Sequence, residues 1–424
     1  MKEISPTFAI GPFTQIVTLR AVPLKGAIQD EALEIIPAGG IVVEGGKLKA
    51  IGSFDNIERE AETANIPIHK ITSPTVLLPG FIDAHTHICF DGSRAKDYAM
   101  RAAGKSYLEI AKAGGGIWDT VLKTREASLA TLVRRTQMRA HQQLLGGVTT
   151  VEVKSGYGLS LEEELKMLRA IQEANVHTAA DLIPTCLPAH ILPKDFEGQT
   201  KDYIDYLLQA FFPLVKQEKL SHRADIFVEE GAFSVEDARF YMTELRKMGF
   251  DLTVHADQFS TGGSQVAIEC GAKSADHLEA SGEIEIKALA ESEVIPVALP
   301  GASVGLGCDF APGRRLLDAG ASLAIASDWN PGSAPMGDLL TLASIYGMFE
   351  KLSTAEVLAG ISIRAAAALG LSDRGCLSEG NLADMIAFET ADYREIFYRQ
   401  GRLRPKWVWK EGKRVGGKGW NVFN

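Results

Sequence analysis

Residues 79–87, PGFIDAHTH, join a short apolar run to two histidines at positions i and i+2. Side chains two residues apart lie on the same face of an extended strand, so the imidazoles of His85 and His87 can reach a single cation. The segment therefore predicts a β-strand that ends at a metal site. A polar residue that follows an apolar run can also merely begin a loop, so the rest of the chain has to support the metal interpretation.

Apolar runs of four to eight residues recur after this segment and alternate with stretches of helical spacing, which is typical of βα units around a parallel sheet. Eight parallel strands with intervening helices close into an α/β fold of the (β/α)8 TIM-like barrel type, whose active site forms at the C-terminal ends of the strands. The eight candidate strands are 77–87, 149–154, 182–190, 224–229, 250–255, 274–277, 294–299 and 322–328.

Both ends of the chain have a different pattern, with short runs of period two separated by turns. Residues 40–52 form one predicted β-hairpin around Gly45 and Gly46, and residues 383–388 and 405–415 have the same appearance. We expect a small composite β-sandwich domain built from 1–76 and 373–424, with the barrel occupying 77–372.

The composition is that of a folded protein: of 424 residues, 46% are apolar and 23% are charged. The net charge of −10 repels phosphate backbones and anionic membranes, so we expect neither nucleic acid nor a membrane as a partner. The N-terminus has no signal-peptide pattern, and the cysteines form no C-x-x-C pair, which favours a cytoplasmic protein. The five cysteines are Cys89, Cys186, Cys270, Cys308 and Cys376.

Two further candidate ligands end predicted strands: His255 ends the fifth and Asp328 ends the eighth. With His85 and His87 they place three imidazoles and one carboxylate at one rim of the barrel. This donor set suits zinc or iron(II) with an open position for water. The fourth strand offers no lysine, the residue that bridges two metals in related barrels, so we predict one divalent metal per chain.

A divalent cation lowers the pKa of a bound water from ~15.7 toward ~7 and so supplies a nucleophile at neutral pH. Asp328, beside the metal, can accept the water proton as a general base and return it as an acid. His277 ends the sixth strand and can donate to a carbonyl oxygen as negative charge develops there. Lys154 ends the second strand and is interpreted as a structural ion-pair residue.

Several longer motifs accompany these residues, and with them the chain resembles the imidazolonepropionase family of the amidohydrolase superfamily over essentially its whole length. The resemblance implies a hydrolase of histidine degradation that opens the cyclic amide C–N bond of 4-imidazolone-5-propanoate to give N-formimino-L-glutamate. The motifs are FDGSR at 90–94, GKSY at 104–107, AGGGI at 113–117, TR at 124–125, EVKSGYG at 152–158 and NPGS at 330–333.

The resemblance also implies which residues form the site. His85, His87, His255 and Asp328 match the metal ligands of the family. A propanoate tail needs a guanidinium, and Arg94 supplies the local positive charge that an anionic substrate requires on an acidic chain. The positions that match substrate or product contacts are Arg94, Tyr157, His190, Asn330, Gly332 and Ser333, with Tyr107 as an addition.

Three positions depart from the family pattern. Gln258 stands where some members have a glutamate that is proposed as an acid and base. A glutamine at this catalytic position can hydrogen-bond but cannot take a proton, so proton transfer would rest on Asp328 and His277. Pro188 and Asp91 stand where glycine is usual, which leaves the exact substrate open.

Two other functions are alternatives to this one. A related mononuclear aminohydrolase or deaminase would act on another small cyclic amide or nitrogen heterocycle. A barrel that had lost catalysis would be expected to lack one of the four ligands, and all four are present. The sequence does not separate zinc from iron, and we expect a homodimer because enzymes of this size and class are often symmetric dimers.

Overall fold

The computed structural model describes residues 7–105, 109 and 113–417. In chain order the strands are β1 (Phe8–Val17), β2 (Ile35–Glu44), β3 (Lys47–Ser53), β4 (Ile68–Lys70), β5 (Val76–Pro79), β6 (Phe81–Asp83), β7 (Val148–Lys154), β8 (Asp181–Ala189), β9 (Arg223–Ile226), β10 (Asp251–Ala256), β11 (Ser274–His277), β12 (Ile295–Ala298), β13 (Ala324–Ile325), β14 (Met385–Phe388), β15 (Trp407–Lys410) and β16 (Lys413–Gly416).

The helices lie mainly between the strands of the central region. They are α1 (Phe54–Thr63), α2 (Ala95–Ala102), α3 (Ile117–Glu126), α4 (Leu129–Leu145), α5 (Leu161–Val176), α6 (Thr200–Tyr206), α7 (Phe212–Glu218), α8 (Val235–Lys247), α9 (Gly263–Cys270), α10 (Glu283–Glu291), α11 (Pro300–Leu306), α12 (Gly313–Asp318), α13 (Leu339–Phe349), α14 (Thr354–Gly360), α15 (Ile363–Ala368) and α16 (Glu395–Tyr398), with a 3-10 turn at Asp30–Ala32 and a π turn at Leu207–Phe211. Among the described residues, no helix has the length and apolar character needed to cross a membrane.

Strands β6 to β13 pair in parallel in chain order, which confirms the predicted (β/α)8 barrel. The first predicted strand is divided at Gly80, because β5 pairs with the terminal sheet and only β6 joins the barrel. A side chain at residue 80 would place its Cβ 2.2 Å from the Thr149 hydroxyl oxygen, so a glycine is required at the crossing. The predicted boundary at 76/77 therefore lies at the start of β5.

The first and last barrel strands are joined through the residues that follow β6 and β13, at an isolated bridge between Thr86 and Trp329. Asp328 N donates to His85 O over 3.1 Å, and His87 N donates to Trp329 O over 2.9 Å. Below them the buried Asp83 carboxylate accepts from the Ser327 backbone N–H at 2.9 Å and from the Ser327 hydroxyl at 2.5 Å. These bonds close the barrel at the rim where the predicted ligands lie.

Strands from both termini form one sheet in the order β16-β15-β14-β5-β1-β2-β3, with β4 beside β1. The prediction that both termini contribute to one β-structure is thus confirmed. Its core brings Phe8 and Ile41 into one apolar cluster with Met385 and Trp409, so the sheet curls and buries the inward side chains of strands from its two halves against each other.

The closure at Asp83 generates a prediction about stability. Replacing Asp83 with alanine removes the acceptor of the two Ser327 donors and of the Gln143 side-chain amide, which donates over 2.8 Å. Unpaired buried donors cost about 1–3 kcal/mol, so we expect Asp83→Ala to lower the free energy of unfolding by that amount, measured by urea denaturation. Ser327→Ala removes one of the three bonds and should cost less. Equal midpoints for Asp83→Ala and wild type would contradict the role assigned to Asp83.

Candidate active site

The structure brings the four predicted metal ligands together at the C-terminal rim of the barrel. His87 Nε2 lies 3.2 Å from His85 Nε2 and 3.3 Å from His255 Nε2. Asp328 Oδ1 lies 3.5 Å from His85 Nε2 and 3.6 Å from His87 Nε2. None of these four residues is more than 3% exposed.

Carboxylates lie beside the outer nitrogens of two of the three histidines. His85 Nδ1 lies 2.7 Å from Asp276 Oδ2, and His255 Nδ1 lies 2.9 Å from Asp225 Oδ2. This arrangement leaves Nε2 of each ring directed at the centre, as in metal sites where a carboxylate fixes the tautomer of a ligating histidine. Burial holds the pKa of His85, His87 and His255 well below the usual value, so the rings are neutral and able to ligate.

The surroundings of the Asp328 carboxylate indicate that a cation fits at this centre. It adopts φ 53°, in the left-handed region, which directs its carboxylate into the rim. Its Oδ2 accepts from the Asn330 amide at 2.9 Å, whereas its Oδ1 is buried without a hydrogen-bond partner among the described residues. Burial raises the pKa of Asp328 to about 7. A buried carboxylate oxygen that faces lone pairs of neutral imidazoles fits a divalent cation among them.

His277 lies beside this centre at the end of β11, with φ 87°. Its ring centroid is 5.3 Å from that of His255 and 5.8 Å from that of His85, and the three can also converge on one ion. Its Nδ1 lies 3.4 Å from Glu279 Oε2. Burial alone would lower the pKa of His277, but the Glu279 and Asp328 carboxylates outweigh burial and raise it.

The predicted substrate residues from the loop after β13 lie next to Arg94. A cavity of about 340 Å³ is lined by Arg94, Asn330 and Trp329 among others. Asn330 Oδ1 accepts from the backbone N–H of Gly332 at 2.7 Å and of Ser333 at 2.8 Å. Because the Asn330 amide also donates to Asp328, this side chain links Asp328 to the turn at 330–333. A Cβ at residue 332 would lie 2.3 Å from an Arg94 guanidinium nitrogen, so the glycine admits the arginine.

Tyr157 and His190 cover the other side of the centre. The His190 ring stacks on His87 with centroids 5.5 Å apart, and the Tyr157 ring lies 5.9 Å from His87. His190 Nδ1 donates to the Gly156 carbonyl over 2.9 Å, which leaves its Nε2 as an acceptor. Burial lowers the pKa of His190 to about 4, so this ring is neutral.

Three positions that the sequence singles out remain, and they are Gln258, Asp91 and Tyr107. Gln258 follows β10 and is partly exposed, and the backbone N–H groups of the next two residues donate to Glu229. Asp91 pairs with Arg135 at 3.2 Å. Tyr107 lies outside the described residues.

The sequence pattern does not reveal that Asp225, Asp276 and Glu279 are parts of the site. Asp276 directly precedes His277, and Asp225 lies within β9, so each has the appearance of an ordinary strand residue. A carboxylate inside a predicted barrel strand, where apolar residues are expected, is the signal that points to such a role.

Comparison with known proteins defines the class first. Residues 76–415 match the model of the Amidohydrolase family, so the barrel is that of a metal-dependent hydrolase. Among solved structures, a zinc-bound atrazine chlorohydrolase from Arthrobacter aurescens has a TM-score of 0.69 at 16% identity and covers 98% of this chain and 97% of its own. A zinc-bound adenosine deaminase from Xanthomonas campestris has a TM-score of 0.72 at 16% identity over 97% of this chain and 93% of its own. At this identity the likeness concerns the fold.

Comparison with curated proteins identifies the family within this class. The imidazolonepropionase of Symbiobacterium thermophilum is 38% identical over 411 residues, 96% of each chain. That of Myxococcus xanthus is 41% identical over 337 residues, 79% of this chain and 80% of its own. The chain therefore belongs to the imidazolonepropionase family.

The convergence of the donors generates a prediction about metal binding. We expect His87→Ala to retain little of the divalent metal that the wild-type protein keeps after dialysis, because His87 Nε2 lies within 3.3 Å of two other donor nitrogens. Elemental analysis of the purified proteins measures this. His177→Ala, an exposed histidine at the end of α5, is the matched control. Equal metal content in His87→Ala and His177→Ala would contradict the assignment.

Proposed function

We propose that this protein hydrolyses the cyclic amide C–N bond of 4-imidazolone-5-propanoate to N-formimino-L-glutamate in histidine degradation. The observation that carries the proposal is the cluster of His85, His87, His255 and Asp328 beside the cavity of Arg94. The curated relatives named imidazolonepropionase support it, since they match nearly the whole chain.

We infer that the cluster holds one divalent cation, zinc or iron, through His85, His87, His255 and Asp328. The convergence of these donors and the partnerless Asp328 Oδ1 support the inference. When bound, such a cation lowers the pKa of a water and polarises the carbonyl that is attacked.

The side chains around the centre then have distinct tasks. Asp328 accepts the proton of the attacking water and returns it to the ring nitrogen as the C–N bond breaks. His277 donates to the carbonyl oxygen as negative charge develops. Its Nδ1 faces Glu279, so the opposite nitrogen, Nε2, serves as the donor.

Arg94 is suited to the propanoate tail. Its Nε donates to Asp97 Oδ2 at 2.8 Å, which fixes the direction of the guanidinium and leaves the terminal nitrogens near Gly332. A paired carboxylate and guanidinium form charge-assisted hydrogen bonds of defined geometry. The substrate is thus a small anion, held with its ring toward Asp328 and His277, and we assign Tyr157, His190, Asn330 and Ser333 to further contacts with it.

We also infer that the enzyme works in the cytoplasm as a homodimer. Five free cysteines, of which Cys89, Cys186 and Cys270 are buried, support a reducing compartment. Light scattering on the purified protein tests the dimer.

The direct test of the function is the loss of imidazolone ultraviolet absorbance when the purified enzyme meets freshly generated 4-imidazolone-5-propanoate. We expect rapid decay with about one metal per chain by elemental analysis, and decay at the spontaneous rate for Asp328→Ala, because that variant lacks the proton acceptor. Decay no faster than the spontaneous rate in metal-loaded wild type would overturn the substrate assignment and favour a related aminohydrolase.

Arg94 separates the two candidate functions. Charge-assisted hydrogen bonds contribute about 1.5–3 kcal/mol, so Arg94→Ala should lower kcat/KM for the propanoate substrate by about 10- to 150-fold, mainly through KM. A ring analogue without the carboxylate should be turned over equally by both proteins. Arg135→Ala, which removes a more exposed guanidinium, is the matched control. If Arg94→Ala lowers kcat/KM for the neutral ring analogue as much as for the propanoate substrate, Arg94 does not bind the propanoate tail.

A further inference from the structure

Lys154 is a fully buried cation at the end of β7, beneath the candidate metal centre. Its Nζ lies 2.8 Å from Glu152 Oε1, 2.9 Å from Asp225 Oδ2 and 3.7 Å from Asp276 Oδ2. All four side chains are at most 1% exposed. Three buried carboxylates repel one another and lose their hydration, and the Lys154 ammonium in their midst offsets part of this repulsion.

Two of these carboxylates hold rings of the metal ligands. Asp276 Oδ2 lies 2.7 Å from His85 Nδ1. Asp225 Oδ2 lies 2.9 Å from His255 Nδ1, and its Oδ1 accepts from the His255 backbone N–H at 3.2 Å. The Lys154 ammonium thus lies next to the carboxylate oxygens that contact the His85 and His255 rings.

The third carboxylate and the Lys154 backbone hold the segment between His85 and His87. Glu152 Oε2 accepts from the Thr86 backbone N–H at 3.2 Å, and the Glu152 carbonyl accepts from the Thr86 hydroxyl at 2.6 Å. Lys154 N donates to Thr86 O at 2.9 Å. Glu152 and Lys154 together therefore fix the backbone at Thr86, from whose two sides His85 and His87 project.

We propose that Lys154 is a positioning residue that holds three of the four metal ligands, His85, His87 and His255, through the carboxylates of Glu152, Asp225 and Asp276. The Lys154 ammonium donates a hydrogen bond to Glu152 over 2.8 Å, and its charge attracts the Asp225 and Asp276 carboxylates at 2.9 and 3.7 Å. Without it, the carboxylates separate or admit water, and the rings that Asp225 and Asp276 hold lose their alignment. Partners of this kind influence metal affinity through the ligands they orient.

Asp328, the fourth ligand, is held by other means. Its partners are Asn330 at 2.9 Å and Ser333 at 3.5 Å, both from the loop after β13. Loss of Lys154 should therefore weaken the histidine part of the centre and leave the Asp328 contacts in place. The inference rests on the proposed metal centre and concerns how the chain builds it.

The test compares Lys154→Met with Lys410→Met, since both remove a buried ammonium. Lys410 Nζ lies 2.7 Å from Asp384 Oδ2 and 2.7 Å from Asp181 Oδ2, at the opposite, N-terminal end of the barrel strands. Zinc affinity is measured by competition with a chromophoric chelator. We expect zinc to bind about 10- to 100-fold more weakly to Lys154→Met and as tightly as wild type to Lys410→Met.

A second readout reports on the geometry of the ligands. The visible absorption of cobalt(II) bound in place of zinc depends on ligand arrangement, so the spectrum of Lys154→Met should change while that of Lys410→Met stays that of wild type. If Lys154→Met does not fold, the double variant Lys154→Met with Glu152→Gln keeps the net buried charge, and the same loss of zinc affinity is expected of it.

The outcomes distinguish this inference from the proposed centre. Wild-type zinc affinity and an unchanged cobalt spectrum in Lys154→Met, or in the double variant, overturn the role of Lys154 alone. An equal loss in Lys410→Met also overturns it, because the effect would then be one of general stability. Absence of zinc binding by the wild-type protein overturns the metal centre itself.

Discussion

Closure of the barrel between its first and last strands is the constraint on which the site depends. The candidate ligands His85 and His87 follow the first barrel strand, β6, and Asp328 follows the last, β13. They are therefore far apart along the chain. Hydrogen bonds from Asp328 N to His85 O and from His87 N to Trp329 O bring them together. The Asp83 carboxylate strengthens the seam from below by accepting from Ser327 twice. An open sheet with the same eight strands would carry every ligand but no common centre.

Electrostatics within the closed rim favours a cation and disfavours protonated histidines. Burial holds the pKa of the ligand imidazoles well below the ordinary value, so their nitrogens present lone pairs. The carboxylates of Asp225 and Asp276 stand behind two of the rings and orient them. The overall charge of −10 gives no attraction for an anionic substrate, so a local guanidinium has to supply it. Arg94, fixed by Asp97 beside the Asn330 turn, is placed to do so.

The sequence was sufficient to predict the barrel and the convergence of the four candidate ligands, because the C-terminal ends of parallel strands meet at one rim wherever they lie along the chain. It did not reveal that Gly80 divides the first predicted strand between two sheets, since an apolar run does not show which neighbour it pairs with. It identified Lys154 as an ion-pair residue without its partners. Asp225 and Asp276 belong to strands far along the chain, and only the closed barrel brings them to the ammonium.

The departures from the family pattern lie in supporting structure around the centre. The carbonyl of Pro188 accepts from the Tyr203 hydroxyl at 3.1 Å, which anchors the backbone two residues before His190. The loop that carries Gln258 is held by Glu229 through two backbone N–H groups. Neither change removes a donor from the four-ligand cluster. Because glutamine cannot carry a proton, the proposed reaction relies on Asp328 to move the proton from water to the ring nitrogen and on His277 to donate to the carbonyl oxygen. The proposed reaction therefore depends on the side chains at the C-terminal rim of the barrel more than on the segments that carry Pro188 and Gln258.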